Sequence, residues 1–370
     1  MIGSVLDVFR LRQYFNVITG VREVGAHLRE DVGFLNTVRR AVVTLPFEAA
    51  AVDTRPLPPR RRLPAAPLRD RRLGFAATGG SGALASVVGC ARAWEEAGII
   101  PAVMSVCSGS SLFGFPIAAG LSADRVAEFA LGMNVHDFVD IDWRGVASFA
   151  RGGRGFAGII HGERIEAMYR RLLGDMRLGD LHVPCYCPVW CVETNHLQYL
   201  GPRTHPDLPV AHVIRAAISI PLFINPVVID GLHWCDGGIV DIFPIRPLLE
   251  IEEPPDVVLA VNGFYPPDFA GEDISGWENR RGSIFHVASQ IRSCQQVELA
   301  RVNLARLREA VDVLMTDPVP YTVVRGAGFY TQFLDHADWP DFMRAGHRAA
   351  RRALKGWRPA APGAGVTEAV

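Results

Sequence analysis

Two residues far apart in this 370-residue chain have the types and settings for nucleophilic chemistry. Ser108 stands in Val103-Met-Ser-Val-Cys-Ser-Gly-Ser-Ser-Leu112. An apolar run precedes it and small residues follow. That pattern reads as a strand, a sharp turn and a helix, with the hydroxyl carried past the sheet on the turn. Asp236 stands in Asp230-Gly-Leu-His-Trp-Cys-Asp-Gly-Gly-Ile-Val-Asp241. A serine hydroxyl is a poor nucleophile until a base takes its proton, and a carboxylate in a Gly-rich turn can be that base. A third piece precedes both: Gly79-Gly80-Ser81-Gly82, directly after the apolar Leu73-Gly-Phe-Ala-Ala-Thr78. A Gly-rich turn there can aim N–H groups at a developing oxyanion. The three pieces together point to a serine hydrolase. Taken singly they are weak, because strand–turn–helix junctions use Gly and Ser for steric reasons too. Other assignments stay open: the nucleophile at Ser110 or Ser111, or a Ser–Asp–His triad with a late base at His286, His336 or His347.

The elements around these residues must hold them in place. Strands are expected near 72–78, 102–107, 184–193, 254–262 and 320–324. Helices are expected near 83–97, 108–120, 123–133, 161–174, 211–218, 283–311 and 338–355. Gly98 reads as a C-cap and Ser122 as an N-cap. Strands alternating with helices predict a three-layer α/β/α sandwich with a central mostly parallel sheet. Residues 72–357 form this domain. Residues 1–52 are expected to be a helical extension, with Val17, Val21, Val24 and Leu28 at helical spacing. Residues 53–71 are rich in Pro and Arg and read as a linker; residues 358–370 read as a disordered tail.

Composition narrows the function. Hydrophobic residues make up 49% and charged residues 21%, as in a globular protein with a large core. The net charge is −1, which gives no whole-molecule attraction to nucleic acid. Almost every base is arginine, Lys355 being the only lysine. The seven cysteines are scattered and fit a reducing compartment. Cys185-Tyr-Cys187-Pro-Val-Trp-Cys191 lacks the spacing of zinc sites and reads as a buried strand. Neither a metal nor a cofactor is expected. The first apolar residues are broken by Asp7, Arg10 and Arg12, so no signal peptide is expected. No uncharged apolar run is long enough to span a bilayer. A cytoplasmic protein is expected.

The order of the pieces resembles the patatin-like phospholipase family. Its Gly-x-Ser-x-Gly elbow is matched loosely by Val106-Cys107-Ser108-Gly109-Ser110. Its stretch before the aspartate is matched by Ala217-Ile-Ser219-Ile-Pro221-Leu-Phe223-Ile-Asn-Pro226. Its Asp-Gly-Gly box runs on to a proline, as Asp236-Gly-Gly does to Pro244. The resemblance covers residues 72–260 best and is that of a bacterial member with a divergent oxyanion loop and elbow. It implies a Ser108–Asp236 dyad without histidine, an oxyanion hole at Gly79, Gly80, Ser81 and Gly82, and acyl-ester hydrolysis of a lipid or phospholipid. The departures are Val106 and Ser110 in place of glycines, and no basic residue beside the Gly-rich turn before Arg92. The alternative they raise is a weak or inactive lipid-binding or scaffold protein on the same fold. The arginines of 53–71 suggest peripheral contact with an anionic bilayer; the competing reading is a solvated tether.

Overall fold

A computed structural model describes residues 55–64, 68, 70–80, 82–133, 139–150, 157–263, 284–318 and 337–358. Its strands are β1 (Leu73–Ala77), β2 (Val103–Ser105), β3 (Cys185–Cys191), β4 (His196–Leu200), β5 (Val227–Ile229), β6 (Leu232–Asp236), β7 (Val257–Val261) and β8 (Asp312–Thr316). Its helices are α1 (Ser86–Ala97), α2 (Ser111–Ala118), α3 (Ala123–Leu131), α4 (Trp143–Ala150), α5 (Glu163–Leu173), α6 (Val210–Ala217), α7 (Arg246–Leu249), α8 (Ile284–Ala310) and α9 (Trp339–Gly356).

The strands form one mixed, mostly parallel sheet in the order β5-β6-β3-β2-β1-β7-β8. β3, β2, β1, β7 and β8 run parallel. β3 is the hinge of the pattern. Its first residues pair with β2, and Cys187–Cys191 pair with β4 where β2 has ended. On its other edge it takes antiparallel β6. Side chains alternate across the sheet, as a strand's period of two demands. Leu73, Phe75 and Ala77 of β1 face one core cluster, and Ala76 faces the other. The first layer is built from α1, α2, α3, α5, α6 and α9. The second holds α7 and the apolar stripe Ala300, Leu304 and Leu307 of α8. This is the expected three-layer sandwich.

The caps read from the sequence hold. Gly98 ends α1 in the left-handed conformation at φ 69° and returns its N–H to the Trp94 and Glu95 carbonyls. The Ser122 hydroxyl accepts the Arg125 N–H at the start of α3. α1 and α9 approach closely because both carry glycine at the crossing. A Cβ on Gly89 would lie 1.9 Å from the Met343 carbonyl oxygen, and one on Gly346 would lie 2.0 Å from that of Ser86.

The Pro/Arg-rich segment does not behave as a solvated tether where it is described. Leu63 is fully buried, and its N–H bonds the Glu96 carbonyl at 2.8 Å. Arg60 pairs with Glu95 at 2.9 Å and Asp124 at 2.8 Å. The Arg61 carbonyl accepts a bond from Arg351. Burying a leucine side chain contributes about 2 kcal/mol, so residues 55–64 are a strap packed over α1, α3 and α9. Its leucine outweighs the solubility that arginine and proline suggest.

Other differences are of placement. The strand after the long helix begins at Asp312, one residue past Val311. The stretch 320–324 lies outside the described residues, as do the extension 1–52 and the tail from 359 on.

Candidate active site

β2 ends at Ser105, and Cys107 is still extended at φ −136°, ψ 138°. Ser108 then turns sharply, with φ 50°. A non-glycine residue in the left-handed region is held there by its surroundings and commonly marks a functional turn. One turn of 3₁₀ helix (Ser108–Ser110) leads into α2. Ser110 locks the turn: its Oγ accepts the Cys107 N–H and donates to the Cys107 carbonyl, both at 2.8 Å. Ser110 and Ser111 are fully buried, whereas Ser108 retains 5% exposure. Of the three serines, Ser108 alone has the elbow conformation.

Both departures at the elbow have a structural answer. Val106 is fully buried against α2 at a point where the helix carries Gly114. A Cβ there would lie 2.5 Å from Val106 Cγ1. The bulk added on the strand is absent on the helix. Ser110, in place of the second glycine, supplies the hydroxyl bridge just described.

Asp236 is the last residue of β6, opposite Val189 of β3. Its N–H bonds the Ser219 carbonyl at 2.9 Å, so the Ala217–Pro226 stretch runs beside it. Its Oδ1 accepts the Gly238 N–H at 2.8 Å. The Ser108 hydroxyl faces the Asp236 carboxylate closely enough to favour its charged form. Burial pushes the Asp236 carboxyl up to about 7, against the opposing pull of the Ser108 hydroxyl and the Gly238 N–H. Two residues separated by most of the domain thus meet at the ends of β2 and β6.

The Gly-rich turn passes alongside. A Cβ on Gly79 would lie 2.4 Å from Ile242 Cδ1, 3.0 Å from Cys107 Sγ and 3.2 Å from Ser108 Cβ. Only glycine lets the turn come this close to the elbow. Its own N–H, however, is taken by the Ile242 carbonyl at 2.8 Å. Gly79 therefore anchors the turn, and its N–H is not free for the oxyanion role expected of it. Ser81 lies outside the described residues, and Gly82 opens the helical turn that precedes α1. The Gly109 N–H is in the first turn after the elbow, where no intrahelical partner exists.

The alternative bases divide. His347 is buried and bonds Glu96 at 3.1 Å, between α9 and α1. Burial holds it below the usual histidine range. His336 lies outside the described residues, as does the side chain of His286. Arg92 is 3% exposed and paired with Asp124 and Glu96, while donating to the Pro58 carbonyl. Among the described residues no group of three His, Cys, Asp or Glu side chains is arranged to hold a metal. Cys185, Cys187 and Cys191 are fully buried in β3.

Sequence reasoning missed a second buried carboxylate. Asp241, in the loop after Asp236, accepts the Tyr199 hydroxyl at 2.5 Å and the Asn303 amide at 3.0 Å. Burial raises it to about 6. Its place five residues beyond Asp236, before an apolar Ile-Phe-Pro, was the available signal.

Residues 77–249 match the family model described as patatin-like phospholipase. These residues form a patatin-like phospholipase domain. That domain holds the elbow, the Gly-rich turn and the Asp-Gly-Gly loop. An uncharacterized NTE family protein of Mycobacterium tuberculosis is 28% identical over 186 residues, 49% of this chain and 49% of that protein. A Mycobacterium bovis protein of the same description matches equally. The chain spans about half the length of the curated relatives it matches. Among solved structures, VipD from Legionella pneumophila aligns with a TM-score of 0.45 at 14% identity, over 77% of this chain and 67% of that one. Human GIVD cytosolic phospholipase A2 with a bound fluorophosphonate aligns with a TM-score of 0.37 at 12% identity, over 90% and 64%. No helix among the described residues is long and apolar enough to cross a membrane.

Proposed function

We propose that the patatin-like domain is a lipid acyl hydrolase working through a Ser108–Asp236 dyad. The observation that carries this reading is that Ser108, in its left-handed turn, faces the carboxylate of the buried Asp236. Ser108 Oγ attacks the ester carbonyl while its proton passes to Asp236. The carbonyl oxygen gathers negative charge, and N–H groups of the Gly-rich turn and of Gly109 are the proposed donors to it. Collapse expels the alcohol, which takes the proton back from Asp236. Water then attacks the acyl-enzyme, giving Asp236 a proton that returns to Ser108 as the fatty acid leaves.

A base must be ionised to act, and a carboxyl near 7 is half ionised at neutral pH. Burial therefore matches Asp236 to a proton from serine far better than an exposed aspartate would be. The substrate class is a phospholipid or another acyl ester of a lipid. Contact with an anionic lipid surface, through the exposed Arg61, Arg62 and Arg71, belongs to the same proposal. The test is hydrolysis of p-nitrophenyl butyrate and of a diacyl phosphatidylglycerol by full-length protein. Wild type should release both acids, and Ser108→Ala should lose several orders of magnitude in kcat. Near-wild-type turnover by a folded Ser108→Ala protein would reject the dyad.

A further inference from the structure

The loop from Asp236 to Pro244 is the hub of the site. Its start carries the proposed base. Its Asp241 carbonyl accepts a bond from the Cys107 thiol at 3.4 Å, which ties it to the elbow. Its Ile242 carbonyl takes the Gly79 N–H, which ties it to the Gly-rich turn. Whatever fixes this loop fixes all three pieces at once.

That support comes from one face of α8. Gln296 Nε2 donates to the Gly238 carbonyl. Asn303 Nδ2 donates to Asp241 Oδ1 at 3.0 Å and to the Phe243 carbonyl at 3.1 Å. Both side chains are buried at 8% exposure. Seven residues is about two helical turns, so the two amides share the stripe formed by Ala300, Leu304 and Leu307. An apolar stripe that buries two amides among its alanines and leucines gives up transfer free energy unless each amide is well bonded. Here both donate to the same loop.

We infer that Gln296 and Asn303 are positioning residues, a two-point clamp from α8 that sets the Asp236 carboxylate against Ser108. The inference rests on the dyad reading only for its kinetic consequence; the placement of Asp236 is a structural matter. The route is short. Gln296 holds the Gly238 carbonyl, and the Gly238 N–H is the donor to Asp236 Oδ1. If the glycine swings away, the carboxylate loses a bond that favours its charged form. Among the described residues, the titratable groups facing Asp236 are Cys107 from the elbow, Cys187 from β3 and Cys235 on its own strand. Burial raises all three thiols, so none supplies charge near neutrality. On the far side of the loop, Asp241 faces Tyr199 and Arg246.

The test uses full-length protein labelled with [¹³C]aspartate, the Asp236 carboxyl resonance being assigned by its loss in Asp236→Asn. Gln296→Met keeps length and volume and removes the donor. It should raise the Asp236 midpoint by about one unit. It should also lower kcat for p-nitrophenyl butyrate at pH 7 about fivefold, with KM within about twofold, and move the acid limb of the rate profile upward with the midpoint. Asn303→Leu should act in the same direction. Gln296→Met decides the matter if Asn303→Leu does not fold. An unmoved midpoint and rate profile in folded Gln296→Met would overturn the clamp, as would a rise in KM alone. If wild type hydrolyses no ester yet the midpoint still moves in Gln296→Met, the clamp stands and the hydrolase reading falls.

Discussion

Asp236→Asn should abolish activity and gain stability relative to wild type as pH rises. In the folded state the Asp236 carboxyl sits at about 7 rather than 3.8, because burial outweighs the pull of the Ser108 hydroxyl and the Gly238 N–H. In the unfolded chain it returns to the ordinary value. Between those values the unfolded state has released its proton and the folded state has kept it. Folding then takes up a proton, so stability falls as pH rises from about 4 through 7. With these two midpoints, the loss between pH 5 and pH 8 comes to about 2–3 kcal/mol from this one group. Asparagine does not ionise and escapes the loss. It gives up one acceptor oxygen, at a cost of about 1 kcal/mol, but that cost is the same at both pH values. The gap between variant and wild type should therefore shift by about 2–3 kcal/mol in the variant's favour from pH 5 to pH 8. Urea unfolding followed by tryptophan fluorescence at each pH measures it. A gap that stays constant to within about 0.5 kcal/mol would show that the buried carboxyl is not raised, and the argument for a neutral-pH base would go with it.

The same midpoint sets the rate profile: kcat/KM should climb through pH 7 and stand at about a tenth of its plateau at pH 6, and a flat profile from pH 5 to pH 8 would contradict it. Ser110→Ala removes both elbow bonds at Cys107 and should cost about 1–3 kcal/mol in urea unfolding, while Ser108 still reacts with a fluorophosphonate. Gly89→Ala forces a Cβ against the Met343 carbonyl and should destabilise by about 3 kcal/mol or more, read as a lowered Tm. His347→Gln should leave kcat within about twofold, since its partner is Glu96 and not Ser108; a hundredfold fall with unchanged Tm would point back to a triad.

Much of this architecture was legible because local chemistry and global fold agree. Gly98 and Ser122 stop and start helices by backbone rules that act within one turn. The buried run at Val257–Val261 can only be an interior strand. What escaped was set by distant partners. Asp312–Thr316 lacks a turn signal before it, because α8 passes into β8 through Val311 alone. The antiparallel β4 and β6 exist because β3 outlasts β2, a length match that no single segment encodes. The strap around Leu63 looked like a tether because composition registers its arginines and prolines and not the pocket awaiting one leucine. At the site, the serine register was ambiguous in sequence; in the structure Ser108 differs from Ser110 and Ser111 in its positive φ, and Ser110 in its hydroxyl bridge. The occupation of the Gly79 N–H, and the pairing of Val106 with Gly114, depend on the loop and helix that face them.

The most direct test is covalent. Full-length protein treated with a fluorophosphonate at pH 8 should gain the mass of one phosphonyl group. Peptide mapping should place it on Ser108, and Ser108→Ala and Asp236→Asn should each remain unmodified under the same conditions. Modification at Ser110, Ser111 or another serine, or none at all on a folded wild-type protein, would contradict a nucleophile at Ser108.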